Sequence, residues 1–154
     1  MEIFGSSGVR GVVGEEMTPE FITRLARAAG ATYRAEGHEI VALARDTRRT
    51  GPMLTDAAAA GPAAVGCDIR RVGVLPTPGL QAYCEQAELP AMMITASHNP
   101  PAYNGIKLVG VDGCELSEAA LERVEQRLLA ASGTGNGSGD RLSWTDVGKT
   151  ERID

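Results

Sequence analysis

The sequence predicts a three-layer α/β/α domain, with helices on both faces of a four-stranded mixed sheet that is mostly parallel. Short apolar segments alternate with segments whose apolar residues recur at helical spacing, as expected for strands joined by crossover helices. Glycine or proline stands at many of the junctions between these segments. A chain of 154 residues is long enough for one domain with its own apolar core.

The first elements are a glycine-rich loop and a capped helix. Four glycines punctuate residues 5–14, which predicts an irregular loop with at most one small hairpin. Thr18 before Pro19 is typical of a helix start, with threonine as the N-cap and proline at the first helical position. Apolar residues then recur at helical spacing, and Gly37 is a suitable end for this helix.

The remaining elements continue the alternation. Strands are expected at residues 40–44, 68–75, 91–95 and 105–109. Helices are expected from residue 50 or 55 to about 65, with Gly61-Pro62 as a weak point, and at residues 79–88 and 118–131. No helix separates the last two strands, so the fourth strand can run antiparallel to the third.

Residues 1–131 are therefore interpreted as one domain. Residues 132–139 read Ser-Gly-Thr-Gly-Asn-Gly-Ser-Gly, a composition typical of a flexible linker. The residues that follow are too few for a second domain. We therefore expect residues 132–154 to form a linker and the start of a connection to a further domain.

Composition excludes several classes of function. Lys and Arg number 15 and Asp and Glu 20, so the net charge is −5, which disfavours a nucleic-acid-binding protein. The apolar runs are too short to span a membrane, and the first residues do not resemble a signal peptide. Three cysteines at irregular spacing form neither a disulfide framework nor a zinc motif, which indicates a cytoplasmic protein.

The densest group of polar residues follows the third strand. Ser97, His98 and Asn99 leave the carboxyl end of that strand, where open α/β sheets place their ligands, and Pro100 prevents a helix. A capping turn is the alternative interpretation. A Ser-His-Asp triad is disfavoured, because consecutive side chains of an extended segment point apart and the Gly-x-Ser-x-Gly motif is absent.

Two further groups could bind an anion. The segment from Gly5 to Gly11 combines backbone N–H groups with the hydroxyls of Ser6 and Ser7 and the guanidinium of Arg10. A solvated glycine turn is the alternative there. The charged residues 45–49 follow a strand, and taken alone they are typical of a surface ion-pair group.

Together these segments resemble the amino-terminal domain of the α-D-phosphohexomutases, which interconvert hexose 1-phosphates and 6-phosphates. The family's opening Gly-Thr-Ser-Gly-Ile-Arg-Gly is matched at residues 5–11, with serine for threonine and valine for isoleucine. Its Gly-Arg-Asp-Thr-Arg is matched at residues 44–48, with alanine for glycine. Pro-Thr-Pro, Thr-Ala-Ser-His-Asn-Pro and Asn-Gly-Ile-Lys are matched without change at residues 76–78, 95–100 and 104–107.

The resemblance implies a role for each site residue. Ser97 corresponds to the serine that carries the transferred phosphoryl group, and a phosphate oxygen on it would bind Mg²⁺. Lys107 and Arg10 correspond to the residues assigned acid–base or electrostatic work. His98 corresponds to a contact with phosphate or sugar, while Asn99, Ser6 and Ser7 are expected to shape the site or bind phosphate.

The family also implies what this chain does not supply. The other Mg²⁺ ligands come from an Asp-Gly-Asp-x-Asp loop in a second domain, and neither that loop nor the family's sugar-binding and carboxyl-terminal phosphate-binding motifs occurs in the sequence. We therefore expect a first domain separated from the other mutase domains, inactive alone and weakly self-associating. The substrate is expected to be a hexose phosphate, glucose, mannose or glucosamine phosphate, with a hexose 1,6-bisphosphate as activator. The alternatives are a stand-alone anion-binding module and a fragment that pairs with a full-length mutase.

Overall fold

The computed structural model describes residues 3–5, 8–132 and 142–153. These residues form one mixed sheet with helices on both sides. The elements are, in chain order, β1 (Val9–Val12), α1 (Pro19–Ala35), β2 (Ile40–Arg45), α2 (Gly51–Ala63), β3 (Asp68–Val74), α3 (Thr77–Ala87), β4 (Ala91–Ile94), β5 (Tyr103–Val109), α4 (Glu118–Ser132) and β6 (Thr150–Arg152).

The predicted fold class is confirmed, but the predicted number of four strands was wrong. The sheet has six strands in the order β1-β5-β4-β2-β3-β6. The two unexpected strands are β1, which lies in the segment interpreted as a loop, and β6, which lies in the segment interpreted as a connection. Both are very short and sit at the edges of the sheet, so each is defined by its pairing partner and not by a hydrophobic pattern of its own.

The direction of the strands follows the connections between them. Crossover helices make β2 parallel to both β3 and β4, and β6 adds parallel to β3. The loop between β4 and β5 contains no helix, and β5 runs antiparallel to β4, as expected. β1 is antiparallel to β5. The carboxyl ends of β2 and β4 and the amino end of β5 therefore lie at the same end of the sheet, along the strand direction.

The predicted N-cap of α1 is confirmed, whereas the weak point predicted inside α2 was wrong. The Thr18 hydroxyl accepts a hydrogen bond from the N–H of Phe21, which confirms it as an N-cap. α2 starts after Thr50 but has no side-chain cap, and it continues through Gly61. A Cβ at Gly61 would lie 2.5 Å from the N atom of Arg27. The glycine therefore permits close contact between α1 and α2 and is not a weak point.

The core has a larger and a smaller part on opposite faces of the sheet. The larger cluster joins α1, α2 and α4 to one face, while the smaller joins Leu80 and Cys84 of α3 to the other face through residues such as Met93. In the described part of the chain, no helix is long and apolar enough to cross a membrane.

Candidate active site

The loop after β4 presents Ser97 at its tip. Ser97 and His98 are exposed, and Ser97 has a φ of 54°, a left-handed conformation that costs a non-glycine residue about 1–2 kcal/mol. Asn99 closes the turn, because its backbone N–H and its side-chain amide both donate to the carbonyl of Ala96, at 3.1 and 2.9 Å. The expected turn is present, and it leaves the serine open to an incoming group.

Asp46 and Thr95 brace the base of this loop. The Thr95 hydroxyl donates to one carboxylate oxygen of Asp46 at 2.7 Å and accepts from the N–H of Ser97 at 3.1 Å. The other carboxylate oxygen accepts from the N–H of Arg48 at 3.1 Å. A chain of hydrogen bonds thus connects the segment after β2 with the backbone of Ser97.

Arg48 crosses from the segment after β2 to the same loop. One terminal nitrogen, Nη2, donates to the carbonyls of Ser97 and Asn99 at 3.0 and 2.7 Å. The other, Nη1, donates to the carbonyls of Pro100 and Tyr103 at 2.8 and 3.1 Å. Within residues 45–49, Asp46 and Arg48 therefore hold the loop and are not merely part of a surface ion-pair group.

Arg10 and Lys107 lie on neighbouring strands and on one face of the sheet. Arg10 of β1 pairs with Gly105 of β5, and Lys107 is two residues further along β5. Lys107 in turn pairs with Met93 of β4, two residues before Thr95. Because paired residues and residues two apart share a face, both cations lie on the face of Thr95.

Two glycines provide the space for these cations. A Cβ at Gly105 would lie 2.9 Å from Cγ of Arg10, and one at Gly8 would lie 3.0 Å from Cγ of Lys107. Gly8 also has a φ of 88°, which a side chain would strain. In both cases the nearest atom is a backbone oxygen, that of Val9 for Gly105 and that of Ile106 for Gly8, so the glycines permit the close approach of the backbone as well as the position of the two charged side chains.

The two cations differ in their partners. Nζ of Lys107 forms an ion pair of 2.8 Å with Glu115. Nε and Nη2 of Arg10 are buried, and neither has a hydrogen-bond partner among the residues that the structure describes. A buried donor without a partner costs about 1–3 kcal/mol, so Arg10 is suited to an anion that supplies acceptor oxygens.

The structure brings together most of the expected residues. Ser97, His98 and Asn99 share the loop after β4, and Arg10 and Lys107 lie on the adjacent strands. Ser6 and Ser7 lie outside the described residues. The sequence interpretation did not assign site roles to Asp46, Arg48, Thr95 and Glu115. The first three lie within matched motifs, which was the available signal, whereas nothing in the sequence indicated the partner of Lys107.

The described residues do not form a metal site by themselves. Residues 3–5, 8–132 and 142–153 contain no group of three or more His, Cys, Asp or Glu side chains placed to hold a metal ion. Near Ser97, the carboxylate of Asp46 is already engaged by Thr95 and Arg48. The donor set that Mg²⁺ prefers is therefore not assembled from these residues.

Known proteins resemble this chain in sequence and in overall fold. A family model described as phosphoglucomutase/phosphomannomutase, alpha/beta/alpha domain I, matches residues 1–133. The chain belongs to this family. A phosphoglucomutase/phosphomannomutase from Thermococcus kodakarensis is 38% identical over 99% of the chain and 33% of the relative. A phosphoglucosamine mutase from Listeria welshimeri is 46% identical over 85% of the chain and 30% of the relative.

Solved structures show the same fold. A phosphoglucomutase/phosphomannomutase family protein from Burkholderia thailandensis superposes with a TM-score of 0.80 at 30% identity, over 99% of this chain and 33% of that one. The chain thus spans about a third of the length of the relatives it matches. The similarity therefore covers a segment that the family model describes as one domain of these proteins.

Proposed function

We propose that the chain is the phosphoserine-bearing domain of a phosphohexomutase, which interconverts hexose 1-phosphate and hexose 6-phosphate through a 1,6-bisphosphate. The observation that carries the proposal is the placement of Ser97. Its side chain is exposed at the tip of a braced loop and stands at the position of the family's phosphoserine. Two cations lie on the sheet face that leads to this loop.

The proposed step is a phosphoryl transfer between Ser97 and a sugar oxygen. Oγ of Ser97 attacks the phosphorus of a hexose 1,6-bisphosphate, an O–P bond to serine forms and the O–P bond to the sugar breaks. The proton leaves the serine hydroxyl and ends on the released sugar oxygen, which gives a hexose monophosphate. For a hexose 1-phosphate, phosphoserine first gives its phosphoryl group to the free O6 hydroxyl, whose proton returns to Oγ of Ser97, and the 1,6-bisphosphate forms. Ser97 then takes the phosphoryl group from O1, so hexose 6-phosphate leaves and phosphoserine is restored.

The cations are proposed to supply charge and protons. Phosphoryl transfer requires positioning and neutralisation of charge more than covalent assistance. The free donors of Arg10 would bind phosphate oxygens, since charge-assisted hydrogen bonds of this kind are short and strong. Lys107 would move protons or stabilise charge, and His98 and Asn99 would contact phosphate or sugar at the loop.

Magnesium is proposed as a cofactor that this chain does not bind alone. The ion would neutralise phosphate charge when it is bound. The only ligand expected from this chain is a phosphate oxygen on Ser97, and the remaining ligands would come from a second domain.

The chain alone is proposed to perform no steady mutase turnover. A substrate that reverses its orientation needs a second anion site one sugar away in a closed cleft. The relatives have about three times the length of this chain in which to build it. We also propose a cytoplasmic location and weak self-association.

A test separates this function from an anion-binding module that performs no transfer. The chain is incubated with glucose or mannose 1,6-bisphosphate and Mg²⁺, and its intact mass is followed over time. The proposal predicts the gain of one phosphoryl group, and a Ser97→Ala variant treated in parallel should gain none. Reversible binding of the bisphosphate without any covalent gain would favour the binding module.

A further inference from the structure

We propose that Arg48 is the positioning residue of the Ser97 loop, and that it holds the left-handed backbone conformation in which Ser97 accepts and donates the phosphoryl group. The inference rests on the proposed function of Ser97. It concerns a residue that lies outside the loop, in the segment between β2 and α2.

The contacts of the guanidinium support this role. Four hydrogen bonds of 2.7 to 3.1 Å connect it with the carbonyls of Ser97, Asn99, Pro100 and Tyr103. These carbonyls extend from Ser97, the proposed carrier of the phosphate, to Tyr103, the first residue of β5, so they cover the loop except for its first two residues. One rigid planar group therefore fixes the loop at both ends.

The donor count argues against a role in binding phosphate. A guanidinium has five N–H groups, and here four of them point at loop carbonyls. The fifth, on Nε, faces the carboxylate of Asp46 at 3.4 Å. The side chain is also largely buried, with an exposure of 14%. No donor is left for a substrate oxygen, in contrast to Arg10, whose Nε and Nη2 have no partner within residues 3–5, 8–132 and 142–153.

The backbone of Ser97 explains why such a clamp is needed. A serine at φ 54° is strained, and a conformation of this kind persists only where the surrounding structure enforces it. The carbonyl of Ser97 is held by Arg48, while its N–H is held by Thr95. The carbonyl oxygens that accept from Arg48 point towards its guanidinium. They therefore point away from a phosphate on Ser97, whose negative charge would repel them.

Arginine is required at this position because of its shape. Lysine carries one compact ammonium with three donors, so it cannot reach two pairs of carbonyls from a planar fork. Arg48→Lys preserves the charge and removes the fork. If charge alone mattered, this variant would behave like the wild type.

The test compares Arg48→Lys and Arg48→Ala with Arg49→Ala, which removes the same charge from an exposed neighbour. Amide hydrogen exchange reports loop order through the N–H groups of Ser97 and Asn99, and core order through the N–H of Ala42, which donates to Pro90 in the sheet. The rate of phosphoryl gain from a hexose 1,6-bisphosphate reports function.

In both Arg48 variants, the amide hydrogens of the loop should exchange at least about tenfold faster than in the wild type, while the protection of Ala42 stays unchanged. Both variants should also gain phosphate at least about tenfold more slowly. Millimolar guanidinium should partly restore the rate of Arg48→Ala, and ammonium should not. Arg49→Ala should match the wild type. If Arg48→Ala loses protection throughout the core, Arg48→Lys decides alone.

Two results would overturn the inference. One is unchanged exchange at Ser97 and Asn99 in Arg48→Lys. The other is a wild-type rate of phosphoryl gain in that variant. A wild-type chain that gains no phosphate would instead contradict the proposed function, and the exchange measurement would still show whether Arg48 holds the loop.

Discussion

The hydroxyl of Thr95 donates a hydrogen bond of 2.7 Å to the carboxylate of Asp46. The bond joins the residue after β4 to the residue after β2, and both residues lie next to the proposed phosphoserine loop. Thr95 is 5% exposed, whereas the side chain of Asp46 is 26% exposed, so the hydrogen bond is shielded from water on the side of Thr95. The N–H of Ser97 depends on the same hydroxyl, which accepts from it at 3.1 Å.

Removal of the Thr95 hydroxyl should therefore impair the loop and its chemistry. We expect Thr95→Val, which preserves the shape of the side chain, to destabilise the chain by about 1–3 kcal/mol, because the carboxylate of Asp46 and the N–H of Ser97 each lose a part-buried hydrogen bond. Thr95→Ser preserves the hydroxyl and serves as the matched control. Denaturant unfolding of both variants checks the prediction, and equal stabilities of Thr95→Val and the wild type would contradict it.

Arg10 and Lys107 should bind inorganic phosphate or sulfate independently of any transfer. We expect Arg10→Ala to lower the affinity for the anion more than Lys107→Ala does. Arg10 has buried donors without a partner in the described residues, whereas Lys107 is paired with Glu115. Isothermal titration calorimetry at low ionic strength measures the affinities.

Exposed cations and the partner of Lys107 provide the controls for this measurement. Arg49→Ala and Lys149→Ala remove the same charges from exposed positions and should change the affinity little. Glu115→Gln should act in the opposite direction and strengthen anion binding, since it frees the ammonium of Lys107. Unchanged affinity in Arg10→Ala and Lys107→Ala would remove both residues from the site.

The two buried cysteines should make the fold sensitive to high pH. Burial raises the pKa of the Cys67 thiol to about 11 and that of the Cys84 thiol to about 11, from 9.0. Because the folded state favours the neutral thiols, their contribution is complete below pH 9.0 and is lost as the pH rises towards 11. Denaturant midpoints measured across this interval should fall.

The double variant Cys67→Ala/Cys84→Ala tests the origin of that fall. Its stability should decline less steeply with pH than that of the wild type. Some decline should remain, because burial also raises the pKa of Tyr33. Identical slopes in the two proteins would show that the thiols are not responsible. The exposed Cys114 should react with iodoacetamide at neutral pH, while the two buried thiols should be protected.

The sequence predicted those elements that carry a strong pattern of their own. The helix that starts at Thr18 has both a cap and a periodic apolar face, and its position was correct. β6 has neither, since all three of its residues are exposed and only the pairing with β3 defines it. Short edge strands of this kind depend on tertiary pairing, which a local pattern does not contain.

Candidate site residues could be named from the sequence where they fall within a recognisable motif, and their roles stay predictions. Ser97, Lys107 and Arg10 were identified because their motifs match those of a family. The role of Arg48 could not be derived in the same way, because its contacts reach residues about fifty positions further along the chain. The ion pair between Lys107 and Glu115 depends on how the loop after β5 folds back onto that strand, which spacing alone does not reveal.

The most direct test of the account is the location of the phosphate after incubation with a hexose 1,6-bisphosphate and Mg²⁺. Fragment-ion mass spectrometry of the digested chain assigns the phosphate to a residue, with Ser97→Ala and Ser117→Ala as parallel samples. The account predicts phosphate on Ser97 in the wild type and in Ser117→Ala, and none in Ser97→Ala, with circular dichroism showing all three folded. Phosphate on another residue, or full occupancy in Ser97→Ala, would contradict it.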